Sequence, residues 1–468
     1  MNLTELKRVH FIGIGGINMS GVAKILKRSG IEVSGSDAAK SEATEELEKI
    51  GVTVVIGHDA KNIPKDVDLV IYSSAVPVTN PERAEAMKRN IHQLTNFEFL
   101  GEWTKNKRVL LITGTHGKST TTSITGLLLE SVDADPTVIV GSRVPSFPDG
   151  NVRHGHSDWV VIEGDEYAKH FLEFKSFAVI VNNIELDHTD IYPDLEAMLD
   201  AFREMLENVQ DGGIVLANAN DPHVQTVIGG VRAQLEARRI RVKTFGFGMH
   251  ADIPVTDYMT KAGEQSFMLR DLEGRPHRFV MHVPGKMNVM NAAAALALVG
   301  SIGVSFSKLV KPISEYKGIW RRFQIISEAN NHTIISDYGH HPTAVAATLE
   351  ATKLFYPGRR IVLAFQPHQR QRTKDLFDAF IPAFEKADAL ALVEIYDVAG
   401  RETGLAISSR DLQEAVVRND LERGVMRHVE YAPDVQAAKE LVKRWMRPGD
   451  VVLVMGAGDI YQIATELE

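Results

Sequence analysis

The chain of 468 residues has no cysteine. That excludes disulfides, thiolate metal sites and a cysteine nucleophile, and it suits a reducing cytoplasm. Long hydrophobic runs are also missing. No stretch approaches the roughly 20 apolar residues that a membrane helix needs. The start, "MNLTELKRVHFIGIGG", lacks the basic, apolar and small-residue succession of a signal peptide. Basic excess is absent: 52 Lys and Arg face 61 Asp and Glu, a net charge of −9. Neither a nucleic acid nor a membrane surface is therefore an expected partner. There is no H-E-x-x-H and no serine–histidine–acid order. An apolar content of 44% and a charged content of 24% are ordinary for a globular protein. The length is too great for one core and suggests about three domains.

Strands and helices alternate from the beginning, which predicts an α/β fold with parallel, Rossmann-like sheets. "RVHFIGIGG", "IEVSGSD", "VTVVIG" and "VDLVIYSSAV" read as strands, with helices between them. "GEWTKNKR" is a polar break, after which "VLLITG" starts a second series. Apolar strands ending in polar residues recur there: "DWVVIEGDEY", "FAVIVNNIELDH" and "GGIVLANANDP". After "YKGIWRRF" the pattern restarts with "HTIISDYG", "RRIVLAFQPH", "DALALVEIY" and "DVVLVMGAG". These breaks divide the chain into residues 1–106, 107–318 and 319–468, with Rossmann-like first and third domains. Helices are expected near 44–50, 343–355, 373–386 and 434–445. The region near 240–284 alternates short strand-like pieces and resists assignment.

Two glycine turns carry the chemistry. "TGTHGKSTTT" follows an apolar strand and opens a helix, but the usual G-x-x-x-x-G-K-[ST] spacing would need a glycine where Ile112 stands. A strand, a glycine turn and a helix start still aim backbone N–H groups and the helix dipole at one point. Gly114, Thr115 and Gly117 form the turn. Lys118 adds a positive charge, Ser119 a metal-binding hydroxyl, and Thr120 suits a first turn whose N–H groups lack partners. The plainer alternative is a helix start with an exposed lysine. The second turn, "GIGGINMSG", gives Gly13, Gly15 and Gly16, but Asn18 stands at the third fingerprint position. Asp37 closes the next strand, where a dinucleotide fold places its ribose acid. Alone, this turn fits NAD, another nucleotide, or no ligand at all.

Acids cluster where strands end. Glu163, Asp165 and Glu166 follow one strand; Asn183, Glu185, Asp187 and His188 follow another. Ligands of open α/β sheets sit beyond carboxyl ends of strands. A carboxylate there with Ser119 is how magnesium is held against phosphates, and His188 is a candidate second ligand; solvated loop acids are the plainer reading. "SDYGHHP" supplies Asp337, Tyr338, His340 and His341. Adjacent histidines are poor zinc spacing and suit a turn that binds substrate. "FQPHQRQRT" crowds His368, Arg370 and Arg372 at another strand end, where arginine fits a carboxylate or phosphate.

In this order the motifs resemble the Mur ligases, which build the peptide of bacterial cell-wall precursors, over essentially the whole chain. "TGTHGKSTTT", "GKMNVMNAAAA", "RRF", "DYGHHP", "FQPH" with its following "RT", and "GAGDIY" carry the likeness. Within the family, "GIGGINMSG", "DYGHHP" and "FQPH" point to the branch that adds L-alanine to UDP-N-acetylmuramate, with the branch that attaches a whole murein tripeptide as the alternative. The resemblance implies that ATP phosphorylates the lactyl carboxylate and that the amine of L-alanine attacks the acyl phosphate. It implies ATP contacts from Gly114, Thr115, Gly117, Lys118, Ser119, Thr120, Asn291, Arg322, Asp337 and Tyr338. Magnesium, or manganese, would be held by Ser119, Glu163 and His188. His340, His368 and Arg372 would face the amino acid, and Lys118, His188, His340 and Arg372 would serve catalysis. Gly13, Gly15, Gly16, Asp37, Ser73 and Ser74 would bind the UDP-sugar, so the turn from Gly13 to Gly16 would take UDP instead of NAD. A cytoplasmic monomer or weak homodimer is the implied form. Three departures stand out. "EGDEYAKHF" lacks the family's aspartate after Glu166, Arg370 replaces an aromatic, and residues 189–208 contain no lysine to carbamylate.

Overall fold

The computed structural model describes residues 6–189, 191–261, 263–271, 273–329, 331–397 and 404–467. Residues 1–5, the beginning of the segment expected not to be a signal peptide, lie outside them. Three sheets follow one another along the chain. The first has five parallel strands in the order Thr53–Ile56, Glu32–Asp37, Arg8–Ile12, Leu69–Tyr72, His92–Thr95. Chain direction across the sheet reverses beside Arg8–Ile12. The crevice of a doubly wound sheet opens at this point, and the turn from Gly13 to Gly16 leaves the strand there.

The second sheet has ten strands, and Arg108–Thr113 lies deep within it. Its neighbours are Ala178–Val181 on one side and Trp159–Glu163 on the other, both parallel to it. Continuous apolar sequence suits a strand covered on both faces, and Val109 to Ile112 are fully buried. The pairing decides the site. Ile112 lies opposite Glu163 and Thr113 opposite Val181, so both acid-bearing strand ends flank the turn that starts at Gly114. The stretch near 240–284 resolves into four strands: Arg241–Phe247, Ile253–Lys261, Glu264–Arg270 and Pro276–Met281. The last two run antiparallel, which explains the alternating pattern. The alanine-rich helix Lys286–Ser301 is buried through most of its length against the core shared with Lys118–Glu130.

The third sheet orders Gln324–Ser327, Thr333–Asp337, Val451–Gly456, Ile361–Gln366, Ala389–Val393 and His428–Ala432. Only the first of these pairs antiparallel with its neighbour. The helix expected near 373–386 is two shorter pieces, Arg370–Asp375 and Phe377–Ala383, with Pro382 in the second. The helix Ser409–Glu422, capped by a reciprocal Ser408–Asp411 pair, had no sequence expectation. No helix among the described residues is long and apolar enough to cross a membrane.

The first and second sheets are fastened by a buried ammonium. Lys24 is 3% exposed, and its Nζ donates to Glu46 Oε2 and the Asp149 carbonyl, both at 2.8 Å, and to Asn151 Oδ1 at 3.3 Å. Arg143 reaches back from the central domain to Glu42 and Glu46. Lys24→Met would leave the Asp149 carbonyl and the Asn151 amide oxygen without this donor. The expected cost is about 1–3 kcal/mol, read as a lower denaturation midpoint; an unchanged midpoint would refute the fastening role.

Candidate functional site

The turn after Thr113 can follow its path only with glycine at two positions. Gly114 has φ +131° and Gly117 φ +82°. A Cβ at Gly117 would stand 2.3 Å from Asn291 Oδ1, and one at Gly114 2.9 Å from the Asn183 carbonyl. The close approach to Asn291 brings the second turn of the helix Lys286–Ser301 against this glycine turn. Gly117 caps the helix Lys118–Glu130, whose first N–H groups carry the positive end of its dipole.

Lys118 is half-buried at this helix start. Its Nζ donates to the carbonyls of Gly114 (2.8 Å) and Thr115 (3.2 Å) and pairs with Glu166 at 2.8 Å. Burial favours the neutral amine, but Glu166, Asp165 and Glu163 together outweigh it and raise its pKa above the ordinary lysine value. Ser119 Oγ donates to Glu163 Oε1 at 3.0 Å, and the Gly141 N–H donates to Glu163 Oε2 at 2.7 Å. Burial pushes the Glu163 carboxyl up, against the pull of Lys118. A hydroxyl and a dehydrated carboxylate facing one phosphate turn are the hard oxygen donors that magnesium takes. His188 stands in the left-handed region at φ +54°, a strain tolerated at working sites. Its Nε2 lies 3.6 Å from Glu166 Oε1, while its buried Nδ1 has no partner. That donor set fits the second ligand position expected of it.

Two cavities meet at this turn. One, of about 300 Å³, is lined by Thr120, Asn291, Arg322 and Asp337 and closed by Phe245 and Met290. Its apolar walls suit a base. The Asp337 carboxylate accepts from the N–H groups of Phe323 (2.8 Å) and Gly339 (2.7 Å), so it also fixes the third-domain turn. Burial raises its pKa, with Arg322 opposing. Of the two arginines in "RRF", Arg321 is spent on the carbonyls of Gly456 and Gly458, whereas Arg322 lines both cavities with its guanidinium 4.9 Å from the Tyr338 ring centre.

The other cavity, of about 480 Å³, collects residues of all three domains. Ile17 and Asn18 come from the first, Lys118, Ser119, Glu163 and His188 from the second, Tyr338, His340, His368 and Arg372 from the third. Arg372 is 6% exposed. It donates to Asp187 Oδ1 through Nε (3.0 Å) and Nη2 (2.6 Å) and lies 3.1 Å from His368 Nδ1. Despite burial, this arginine holds the Asp187 carboxyl far below the usual carboxylate range. His340 Nδ1 is 3.1 Å from the Tyr338 carbonyl, which can only accept, so the proton sits on Nδ1 and Nε2 keeps its lone pair. Burial and then Arg372 hold the His340 pKa well below the ordinary value.

Gly13, Gly15, Gly16, Asp37, Ser73 and Ser74 are not among the residues that line this cavity, which the first domain reaches through Ile17 and Asn18. Asp37 Oδ2 accepts the Gly15 N–H at 2.8 Å, so the acid expected beside a ribose braces the glycine turn itself. Ser73 and Ser74 follow the neighbouring strand, and a Cβ on Gly13 would meet Ser73 at 3.2 Å. Asn18, the misfit of the fingerprint, reaches the shared cavity instead. Arg370 turns away, to Asp397 (3.0 Å) and Glu394 (3.3 Å). Phe245, Met287, Met290 and Trp320 line the cavities without having been singled out from sequence, because apolar residues in a core and in a ligand wall look alike.

Models of the Mur ligase family match along the chain: the "Mur ligase family, catalytic domain" over residues 8–108, the "Mur ligase middle domain" over 112–299 and the "Mur ligase, glutamate ligase domain" over 321–458. A UDP-N-acetylmuramate–L-alanine ligase of Desulforamulus reducens is 36% identical, covering 98% of this chain and 97% of its own. One from Salinibacter ruber is 37% identical, with 98% and 94% covered. Among solved structures, the UDP-N-acetylmuramate–alanine ligase of Thermotoga maritima superposes with a TM-score of 0.81 at 27% identity, covering 98% of this chain and 97% of its own. A murein peptide ligase of Psychrobacter arcticus shares the fold at a TM-score of 0.70, 22% identity and 98% coverage of both chains.

Gly117→Ala puts a methyl group against Asn291 on a left-handed backbone. It should weaken nucleotide binding at least tenfold in calorimetric titration while the circular dichroism spectrum stays unchanged. Native affinity would show that the turn does not hold the nucleotide.

Proposed function

The chain belongs to the Mur ligase family, and we infer that it is an ATP-dependent ligase joining L-alanine to the lactyl carboxylate of UDP-N-acetylmuramate. The observation that carries the reading is the cavity to which each domain contributes a different chemistry: Ile17 and Asn18 just after the first-domain glycine turn, a lysine turn with hard oxygen donors, and a buried arginine beside a neutral histidine.

In this reading ATP lies with its base in the smaller cavity and its phosphates over Gly114, Thr115 and Gly117 to Thr120. The UDP-sugar binds the first domain through Gly13 to Gly16, with Ser73 and Ser74 nearby, and points its lactyl group into the shared cavity. A carboxylate oxygen attacks the γ-phosphorus and ADP leaves. The amine then attacks the acyl carbon, the C–O bond to phosphate breaks, and an amide and inorganic phosphate result. Both nucleophiles belong to substrates, so the chain's work is orientation and charge stabilisation. Lys118 offsets charge on the transferring group. Asn291, Arg322, Asp337 and Tyr338 seat the nucleotide. Arg372 receives the amino-acid carboxylate with His368 behind it, and the Nε2 lone pair of His340 faces the incoming amine. Magnesium on Ser119 and Glu163, with a second ion at His188, would supply further positive charge to the phosphates. The substrates and the cysteine-free chain agree with a cytoplasmic enzyme.

The test is ADP release with UDP-N-acetylmuramate and, in turn, L-alanine, glycine, L-serine or the cell-wall tripeptide. L-Alanine should give the highest kcat/KM. Absence of ADP release with every one of these amines would sink the ligase reading, and release with tripeptide alone would assign the chain to the recycling branch. Arg372→Ala should raise the KM for L-alanine far more than that for ATP. Equal changes in both would remove Arg372 from the amino-acid pocket.

A further inference from the structure

Between the two cavities lies a trio of side chains that the ligase reading leaves without a task. His116 belongs to the phosphate turn, Glu185 to the strand end opposite it, and His341 to the third domain. His116 Nε2 is 3.1 Å from Glu185 Oε2, and His341 Nδ1 is 3.3 Å from the same oxygen. The donor atoms of all three residues lie within 4.8 Å of one another. A tetrahedral zinc site with bonds of about 2.0–2.1 Å has donor–donor edges of about 3.3–3.4 Å. Two edges of the trio are already close to that spacing. The His341 imidazole is also incompletely satisfied. It is 6% exposed, its Nδ1 has beyond Glu185 only a 3.4 Å approach from the Thr343 N–H, and its buried Nε2 has no partner.

We propose that His116, Glu185 and His341 form a site for a zinc-class divalent ion that joins the central and third domains at the neck between the cavities. Two imidazoles and one carboxylate leave a fourth tetrahedral position open, as in zinc sites that take an exchangeable ligand. This donor set favours zinc over magnesium, which prefers all-oxygen surroundings. The residues placed at the magnesium positions, Ser119, Glu163 and His188, are separate from it. His116 lines both cavities and Glu185 and His341 one each, so an ion here would stand on the path of a nucleotide that spans them. Zinc should therefore compete with ATP and resist displacement by excess magnesium.

The full chain, without nucleotide, is titrated with zinc alone against a chromophoric chelator. One zinc per chain with micromolar or tighter affinity is expected, together with a higher denaturation midpoint. His116→Gln and His341→Gln should each weaken binding at least tenfold, with circular dichroism confirming the fold. Glu163→Gln and His188→Gln should leave it unchanged, and added ATP should lower the apparent affinity. Three results would overturn the proposal: no stoichiometric zinc uptake, uptake that survives both histidine substitutions, or uptake lost in His188→Gln instead.

Discussion

The half-buried ammonium of Lys118 sits where three carboxylates, Glu163, Asp165 and Glu166, would otherwise face one another. Most of the site's order follows from that one charge. It ties the phosphate turn to the next strand end through Glu166, which in turn lies beside His188. One cation does not balance three acids, so the pocket keeps a negative excess. Asp165 is relieved by His170 at 3.2 Å, and the His170 ring stacks on Phe97 of the first domain at 4.0 Å. Glu163 has only a hydroxyl and a backbone N–H of its own. A pocket that must receive phosphates while holding surplus carboxylates is one built to take cations along with them.

The two junctions between domains differ in kind. The first and central domains are joined by Lys24, Arg143 and the Phe97–His170 stack, contacts remote from the phosphate turn or behind it. The central and third domains meet largely through groups that line the cavities. Arg372 bonds Asp187, and His341 approaches Glu185. Thr189 donates to Asp375 at 2.9 Å, and Ser142 donates to the Trp320 carbonyl at 3.0 Å. A ligand that enters there has to exchange contacts with the protein's own side chains, which is the arrangement expected where domain closure accompanies binding.

Much of this was legible in the sequence, and the limits have physical causes. The buried parallel strands were readable because strands covered on both faces are continuously apolar, as "VLLITG" and "VVLVMG" are. The strand–turn–helix around Gly114 and Gly117 was readable because glycine, lysine and hydroxyl follow an apolar strand in that order, and the absent glycine at Ile112 did not prevent it. Edge strands were harder: His92–Thr95 and His428–Ala432 are short and only partly buried. Residue roles within motifs were harder still. That Arg321 serves the fold while Arg322 faces the cavities depends on which way adjacent side chains point, and sequence does not carry that. The same holds for Asp37, whose place was foreseen but whose carboxylate turns inward to Gly15, and for Arg370, whose partners Glu394 and Asp397 lie on another segment.

Lys24 has a consequence for timing. By fastening the first domain to the central one, it holds the sugar-nucleotide cradle and the phosphate turn in one frame, whatever the third domain does. On the proposed assignment, the lactyl carboxylate and the phosphate turn belong to that frame, while the third domain brings both the nucleotide's Arg322, Asp337 and Tyr338 and the amino-acid pocket. The acyl phosphate then forms only when the pocket of its acceptor is already in place, and its short life in water is spent beside the amine instead of in solvent.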